Sequence, residues 1–439
     1  MHQTLDYPAR QLPVAATVDI CVVGGSCTGV FAALRAARPG VRVAVVEAQN
    51  RFGGTATASQ VCYWHDFRDW ERRELIIGGY TQEVTRRLLQ RGQAQLSPTP
   101  SHSWYVRLNT EELAIELDEL VSQAGVIPFL HSRMVDALTD GQGQVTAVVI
   151  ADQSGLRAIR ADVFIDASGD AVLCRHAGAA VRLHDPLQPP TACAKFSDWP
   201  EDDPHLGELI HRNAERLRLP EGFVWGTWTP AHHTYMLAAT KVPHANLADP
   251  DTLTHAEIET RRQLRAYQDL LEQSGRRRPV LEALPSLIGI RETWHIEALH
   301  RVTTQELLAG QPFDDCAGRG TYRIDIHAQD RAGTRFLYLD GTEVFSAPGQ
   351  PDAISHWRDP ALPTPPCYQF PIRSLIPRGF RNLIAAGRML DADEGAYGAL
   401  RVMVNLNQAG ESAGILAADA LEQGTAIPDT PFRPLPLDL

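Results

Sequence analysis

Val18-Asp19-Ile20-Cys21-Val22-Val23-Gly24-Gly25-Ser26-Cys27-Thr28-Gly29 is the stretch that decides the fold. A run of β-forming residues passes straight into a glycine-rich turn, as a buried strand does when it ends at a ligand. An Ala- and Leu-rich helix is expected from Val30 to Ala37, stopped by Pro39-Gly40, and a second strand from Val41 to Val46 ends at Glu47. The whole has the size of a βαβ unit, about thirty residues. A helix opening from such a turn offers unpaired N–H groups and the positive end of its dipole to a pyrophosphate. Gly24 permits the tight turn and Gly29 the close packing of helix on strand, while Ser26 replaces the middle glycine of the strict GxGxxG pattern. Its small side chain leaves room for a phosphate, which its hydroxyl is expected to bond. Glu47 is expected to accept from ribose hydroxyls, and together these features predict a dinucleotide site.

Working outward, Thr110 is expected to cap a helix running to Gln123, with Leu113, Leu117, Leu120 and Val121 on its inner face and Gly125 ending it. Strands follow at Val126–Leu130, Met134–Leu138, Val145–Ile150 and Val163–Asp166. Beyond Pro186 the chain becomes richer in proline and tryptophan, with short strands at Phe223–Thr229 and Thr234–Ala239. Thr254 and Glu257 are spaced as a capping box for a long helix ending at Gly275, and Arg276-Arg277-Arg278 reads as its solvated end. A last strand, Asn382–Ala386, leads to a small-residue helix ending near Gly424, with Asn405 and Gln408 spaced as a second capping box.

Composition limits what such a chain can do. Its 439 residues, 44% hydrophobic and 21% charged, can bury two or three cores and exclude disorder. No apolar run is long enough for a membrane span and no signal-peptide pattern precedes Val18, so a soluble, cytoplasmic protein is expected. The net charge of −12 disfavours nucleic acid and leaves a small-molecule substrate as the expected partner, with homo-oligomerisation left open. Seven scattered cysteines, without CxxC or a Cys/His cluster, predict reduced thiols and no metal. Only Lys195 and Lys241 are lysines.

Arg51-Phe52-Gly53-Gly54-Thr55-Ala56-Thr57 follows Glu47, and a nicotinamide domain has no reason for this turn. A flavin site does, because an extended cofactor must pass close to backbone beyond its pyrophosphate. With Ala161-Asp162-Val163-Phe164-Ile165-Asp166-Ala167-Ser168-Gly169-Asp170 and the segment Asn382–Ala418, these blocks resemble FAD-dependent oxidoreductases of the glutathione-reductase structural type, related to fumarate reductase flavoproteins. The resemblance implies an α/β fold: a discontinuous Rossmann-like FAD-binding domain, residues 1–185 and 370–439, and an inserted β-rich α+β substrate domain, 186–369. Residues 60–110 are expected to reach the active-site region. It implies FAD contacts from Gly24, Gly25, Ser26, Gly29, Glu47, Gly53, Gly54, Thr55, Ala56, Val135, Ser168, Gly169, Asp170, Gly387, Arg388, Arg401 and Asn405.

For chemistry, His65 in Tyr63-Trp64-His65-Asp66 is the first candidate base, since it follows the Gly53-Gly54 turn where the chain should pass the flavin. Glu394, Tyr397 and Arg401 flank the last helix as further catalytic candidates. Arg291, Glu292 and His295 are the substrate candidates; an arginine suits a carboxylate, and an Arg291–Glu292 ion pair is the competing reading. Trp225, Trp228, His232 and His233 read either as cleft wall or as core, and Cys62 as an inert buried thiol. The expected activity is that of a dehydrogenase or oxidase passing hydride from a small organic molecule to FAD. An NAD(P)H-driven flavin reductase or monooxygenase, or a non-catalytic flavin-binding sensor or assembly protein, are the alternatives.

Overall fold

Apolar residues at every position of a short strand mean cover on both faces, and all four residues of Ile20–Val23 are buried. The computed structural model describes residues 5, 9–97, 105–202, 204–230, 234–329 and 331–434. His232 and His233 lie outside the described residues. The elements that set the site are β1 (Ile20–Val23), α1 (Cys27–Ala36), β2 (Val43–Val46), β3 (Ile127–Phe129), β4 (Val163–Asp166), β5 (Leu383–Ala385) and α2 (Met403–Gln423). The five strands form a parallel sheet in the order β5-β4-β1-β2-β3, with Ile20 opposite both Val163 and Val43. Side chains alternate across it. Ile20 and Val22 enter a core with α1 and α2, while Cys21 and Val23 enter another with Val148, Ile150 and Ile159. The last three belong to a four-stranded sheet made of Val14–Thr17, Gly155–Arg160, Val145–Asp152 and Arg133–Thr139.

The fold is thus mixed α/β, a Rossmann-like sheet with a β-rich insert. Within the insert, Trp225–Trp228, Tyr235–Ala238, Cys193–Ser197 and Val280–Ala283 form an antiparallel sheet. The helix Pro250–Gln273 packs Leu264, Tyr267 and Leu271 with Phe196 and Leu237 of that sheet. A second antiparallel sheet comprises Ile324–His327, Thr334–Leu337, Thr342–Ser346 and Ala353–His356, and a three-stranded one comprises Tyr63–His65, Tyr105–Leu108 and Ala94–Leu96.

The helices stand where their periodicity places them, but three caps differ from expectation. Asn109, not Thr110, caps Thr110–Gln123 through the N–H of Glu111; the Thr110 hydroxyl instead accepts from Lys195 Nζ at 2.6 Å. The long helix starts at Pro250 with Asp249 as its cap, four residues before Thr254. An Asp before a Pro at the first helical position is the stronger start signal. Glu257 there accepts from the N–H of Ile288 at 2.8 Å. Asn405 and Gln408 lie inside α2, whose first residue is Met403. Both are buried and bond other elements: Asn405 donates to the Tyr368 hydroxyl and Gln408 to the carbonyl of Arg319. The triple arginine is solvated and ion-paired, to Asp202, Asp198, Asp269 and Glu272.

Candidate active site

Parallel strands end at one edge of their sheet, and ligands bind in the crevice outside that edge. Here the crevice is a cavity of about 600 Å³. Its wall includes Gly24, Ser26, Glu47, Gly53, Gly54, Thr55, Ser168, Gly169, Asp170, Gly387, Arg388 and Arg401 of the expected cofactor set. Gly24 must lack a side chain: its φ is +101° and a Cβ would stand 2.4 Å from the carbonyl oxygen of Ala167. Gly29 lies behind the wall, where a Cβ would be 1.9 Å from the Gly24 carbonyl oxygen, so its task is the close packing of α1. Gly25 acts through its N–H, which donates to Glu47 at 2.7 Å. The other Glu47 oxygen accepts from the N–H of Gln49 at 2.8 Å, and burial raises the carboxyl's pKa.

The Ser26 hydroxyl does not wait for a phosphate. It caps its own helix by accepting from the N–H of Gly29 at 3.2 Å and donates to the Ala167 carbonyl. What the structure offers a phosphate there is the first turn of α1, where Ser26, Cys27 and Thr28 form cavity wall. Asp170 accepts from Arg388 at 2.9 Å and from Thr293 at 2.6 Å. Ala56, Val135 and Asn405 are off the wall. Ala56 is buried in the Gly53–Ser59 turn, Val135 sits at a bulge beside wall residue Met134, and Asn405 is held by Tyr368 and Ala399.

An extended dinucleotide fits what remains. The turn positions at Gly24, Gly53, Gly54, Gly169 and Gly387 leave backbone bare along the cavity. Asn407 Nδ2, Arg388 Nε and Arg401 Nε are buried without a partner, on residues that line it.

Of the chemical candidates, His65, Arg291 and Arg401 line this same cavity. Burial and the charge of Arg323 push His65 down to about 3, so its imidazole is neutral; its ring lies 4.4 Å from that of Tyr322. Arg291 is not paired with Glu292. It donates to the carbonyl of Pro189, and burial with the neighbouring Arg401 lowers it to about 10. Glu292 faces away from the cavity. Burial works to raise it, but hydrogen bonds with His184 and His295, at 2.6 and 2.9 Å, overcome this and hold it at about 2. These three side chains cluster closely enough to hold a cation, and His295, fully buried, also meets the Leu390 carbonyl.

Tyr397 and Glu394 are likewise off the cavity wall. The Tyr397 hydroxyl is consumed by the Arg291 carbonyl at 2.6 Å, and Glu394 sits at the start of the helix Glu394–Leu400, capped by Asp393. Trp225 lines the cavity, whereas Trp228 packs on Tyr235. Cys62 is buried, which raises its thiol to about 11 and leaves it inert.

Arg323, Asp325 and His327 are cavity residues that the motifs did not reveal. Their spacing carries a signal: positions i, i+2 and i+4 around the strand Ile324–His327 point one way. Burial opposes ionisation of Asp325, but His327, Arg401, Arg323 and Arg291 hold its carboxyl well below the usual range. Arg401 donates to the Asp325 carbonyl at 3.2 Å and approaches its carboxylate at 3.4 Å. The Tyr322 hydroxyl donates to that carboxylate at 2.9 Å.

A family model described as FAD dependent oxidoreductase matches residues 19–436. The beta-cyclopiazonate dehydrogenase of Aspergillus oryzae is 35% identical over 95 residues, which is 21% of this chain and 20% of that protein. The chain thus matches about a fifth of the length of that curated relative. Among solved structures, a geranylgeranyl bacteriochlorophyll reductase-like protein from Thermoplasma acidophilum superposes with a TM-score of 0.48 at 13% identity, over 93% of this chain and 80% of that one. A flavin-dependent brominase gives 0.43 at 11% identity, over 94% and 80%. Both overlaps are loose, and neither bears on the reaction. Among the described residues, no helix is long and apolar enough to cross a membrane.

Proposed function

The chain belongs to the FAD dependent oxidoreductase family, and from that premise we propose that it dehydrogenates a small organic molecule at a C–N, C–O or C–C bond. FAD is its cofactor. Within the family we place it near the fumarate reductase flavoproteins of the glutathione-reductase type, on the strength of the three sequence blocks. One observation carries the proposal: a single cavity has both the bare-backbone cradle around Gly24, Gly54 and Gly387 and the charged group of His65, Arg291, Asp325 and Arg401 in its wall.

Bound FAD supplies a hydride acceptor. The first turn of α1 would hold the pyrophosphate and Glu47 the ribose, and the start of α2 with Arg401 would supply positive potential to a reduced flavin. His65, in the wall of the same cavity, would accept on its neutral imidazole the proton that the substrate loses from an N–H, O–H or neighbouring C–H bond as its C–H bond gives up the hydride. The Tyr322 ring packs tilted against the imidazole of His65 and limits its movement. Arg291 positions the substrate.

His65→Ala is expected to keep the flavin spectrum and lower kcat by about 100-fold or more. An unchanged kcat rejects His65 as the base. Anaerobic mixing with NADPH separates this reading from a reductase or monooxygenase, because rapid bleaching by NADPH alone argues for the latter.

A further inference from the structure

We propose that His184, Glu292 and His295 form a site for one divalent first-row transition ion such as Zn2+, separate from the flavin cavity. One donor atom from each residue lies within 4.8 Å of the other two, and none of the three residues is in the cavity wall. Backbone pairing brings them together. Val181–Arg182 and His295–Ile296 form an antiparallel two-stranded ladder with Arg182 opposite His295. His184 follows the first strand and Glu292 precedes the second, so both come to the same end of the ladder.

A neutral imidazole has one N–H and one lone pair. His295 meets an acceptor at each ring nitrogen: the Leu390 carbonyl oxygen is 3.1 Å from Nδ1, and Glu292 Oε1 is 2.9 Å from Nε2. Its side chain is 0% exposed, which keeps water from either atom. A hydrogen on Nδ1 serves Leu390 and turns the Nε2 lone pair on a carboxylate oxygen; a hydrogen on Nε2 turns the other lone pair on Leu390. A metal ion between Nε2 and Oε1 satisfies both contacts, because a metal-bound histidine holds its other N–H against a carbonyl or carboxylate oxygen. A doubly protonated His295 is the competing arrangement, and it takes up no metal. The other two residues suit the ion as well. Glu292 Oε2 accepts from the N–H of Gln188 at 2.9 Å, which leaves Oε1 turned to the imidazoles. His184 Nδ1 is 2.6 Å from that same oxygen, and its Nε2 is buried without a partner, so among the described residues its ring has no other hydrogen-bond contact.

Two imidazole nitrogens and one carboxylate oxygen, with no thiolate and no cage of oxygens, favour Zn2+ and its neighbours over Mg2+ or Ca2+. Metal bonds of about 2.0–2.2 Å set donor atoms about 3 Å apart, so binding asks Oε1 to back away from the rings by roughly half an ångström. Three protein ligands leave a further position for water. The strands Cys193–Ser197, Trp225–Trp228, Tyr235–Ala238 and Val280–Ala283 and the helix Pro250–Gln273 all lie in the chain between His184 and Glu292. The ion therefore clasps the two strands that carry the chain into and out of that lobe.

The test strips the full chain with a chelator, titrates it by calorimetry with Zn2+ and with Mg2+, and records X-ray absorption at the zinc edge of the loaded protein. One Zn2+ per chain is expected, bound at least 100-fold more tightly than Mg2+, with two imidazoles and no sulfur at the ion. His184→Asn and Glu292→Gln are each expected to weaken Zn2+ at least 10-fold, with circular dichroism as the check on folding. Should a variant fail to fold, the absorption spectrum of the unaltered protein decides. A smaller preference over Mg2+, fewer than two imidazoles or any sulfur at the ion, or a folded variant that loses less than 10-fold overturns the proposal. None of these readings involves the flavin, so the result is independent of the function proposed above.

Discussion

Lys241 is one of two lysines in 439 residues, and it is buried at 7% exposure with its Nζ over the α-carbon of Gly222, where a Cβ would come within 1.6 Å. Burial and the charge of Arg291 lower its ammonium from 10.5 to about 7. Between those values the unfolded chain holds more protons than the folded one, so stability rises with pH across the window, and below about 7 the burial penalty is felt in full. Lys241→Met is therefore expected to stabilise by a few kcal/mol at pH 6, with the gain vanishing by about pH 10.5; Tm measured against pH checks this. Tyr397→Phe removes the donor to a buried carbonyl and is expected to cost about 1–2 kcal/mol in urea denaturation without altering the flavin spectrum. At this scale the sequence is legible where backbone geometry makes the demand, as at Gly24, Gly29 and Gly54, because only glycine answers it. It is illegible where a side chain's direction matters. Glu292, His295 and Tyr397 sit near cavity residues in the chain, yet their polar groups are spent on one another, on His184 or on backbone elsewhere.

Helix α2 crosses α1 at backbone distance. A Cβ at Gly410 would stand 2.1 Å from the Thr28 carbonyl oxygen, and one at Gly414 2.2 Å from that of Ala32. Gly414→Val is expected to force the helices apart and cost about 3 kcal/mol or more, with loss of FAD uptake because α2 and α1 both contribute cavity wall. Gly207→Ala is the contrast: inside the helix Leu206–Leu217 with nothing within 4 Å, it is expected to stabilise by about 0.5–1 kcal/mol. Thermal melts of the two variants give opposite signs. The helix Thr110–Gln123 and the strands of the parallel sheet were readable from periodicity, whereas the helix Leu206–Leu217 and the strand Ile324–His327 were not, and element starts were misplaced. At Thr254 and Asn405 the capping-box spacing arose by chance inside helices, and Asp249-Pro250 held the true start of one. A polar pair three positions apart lies on one helix face whether or not the helix begins there, so spacing alone does not distinguish cap from interior.

At the scale of the molecule, the cavity is walled by residues from Val23 to Asn407, so FAD should report the integrity of the whole fold. Saturating FAD at 100 times its Kd is expected to raise stability by about 2.7 kcal/mol, seen as a concentration-dependent Tm; a Tm indifferent to FAD would mean that the cradle is not the binding site. That the sheet is discontinuous was legible, since its flavin-like blocks lie far apart in the chain, whereas the pairing of Arg323, Asp325 and His327 with Arg401 was not, because it depends on how the insert folds back. The approach of Gly414 to Ala32 has a temporal meaning too. A ribosome builds β1, α1 and β2 first and must add well over three hundred residues before β5 and α2 can dock on them. Through most of synthesis the glycine turn therefore lacks its far wall, and FAD uptake belongs to the last stage of the chain's maturation, the slow closing of its most distant contacts.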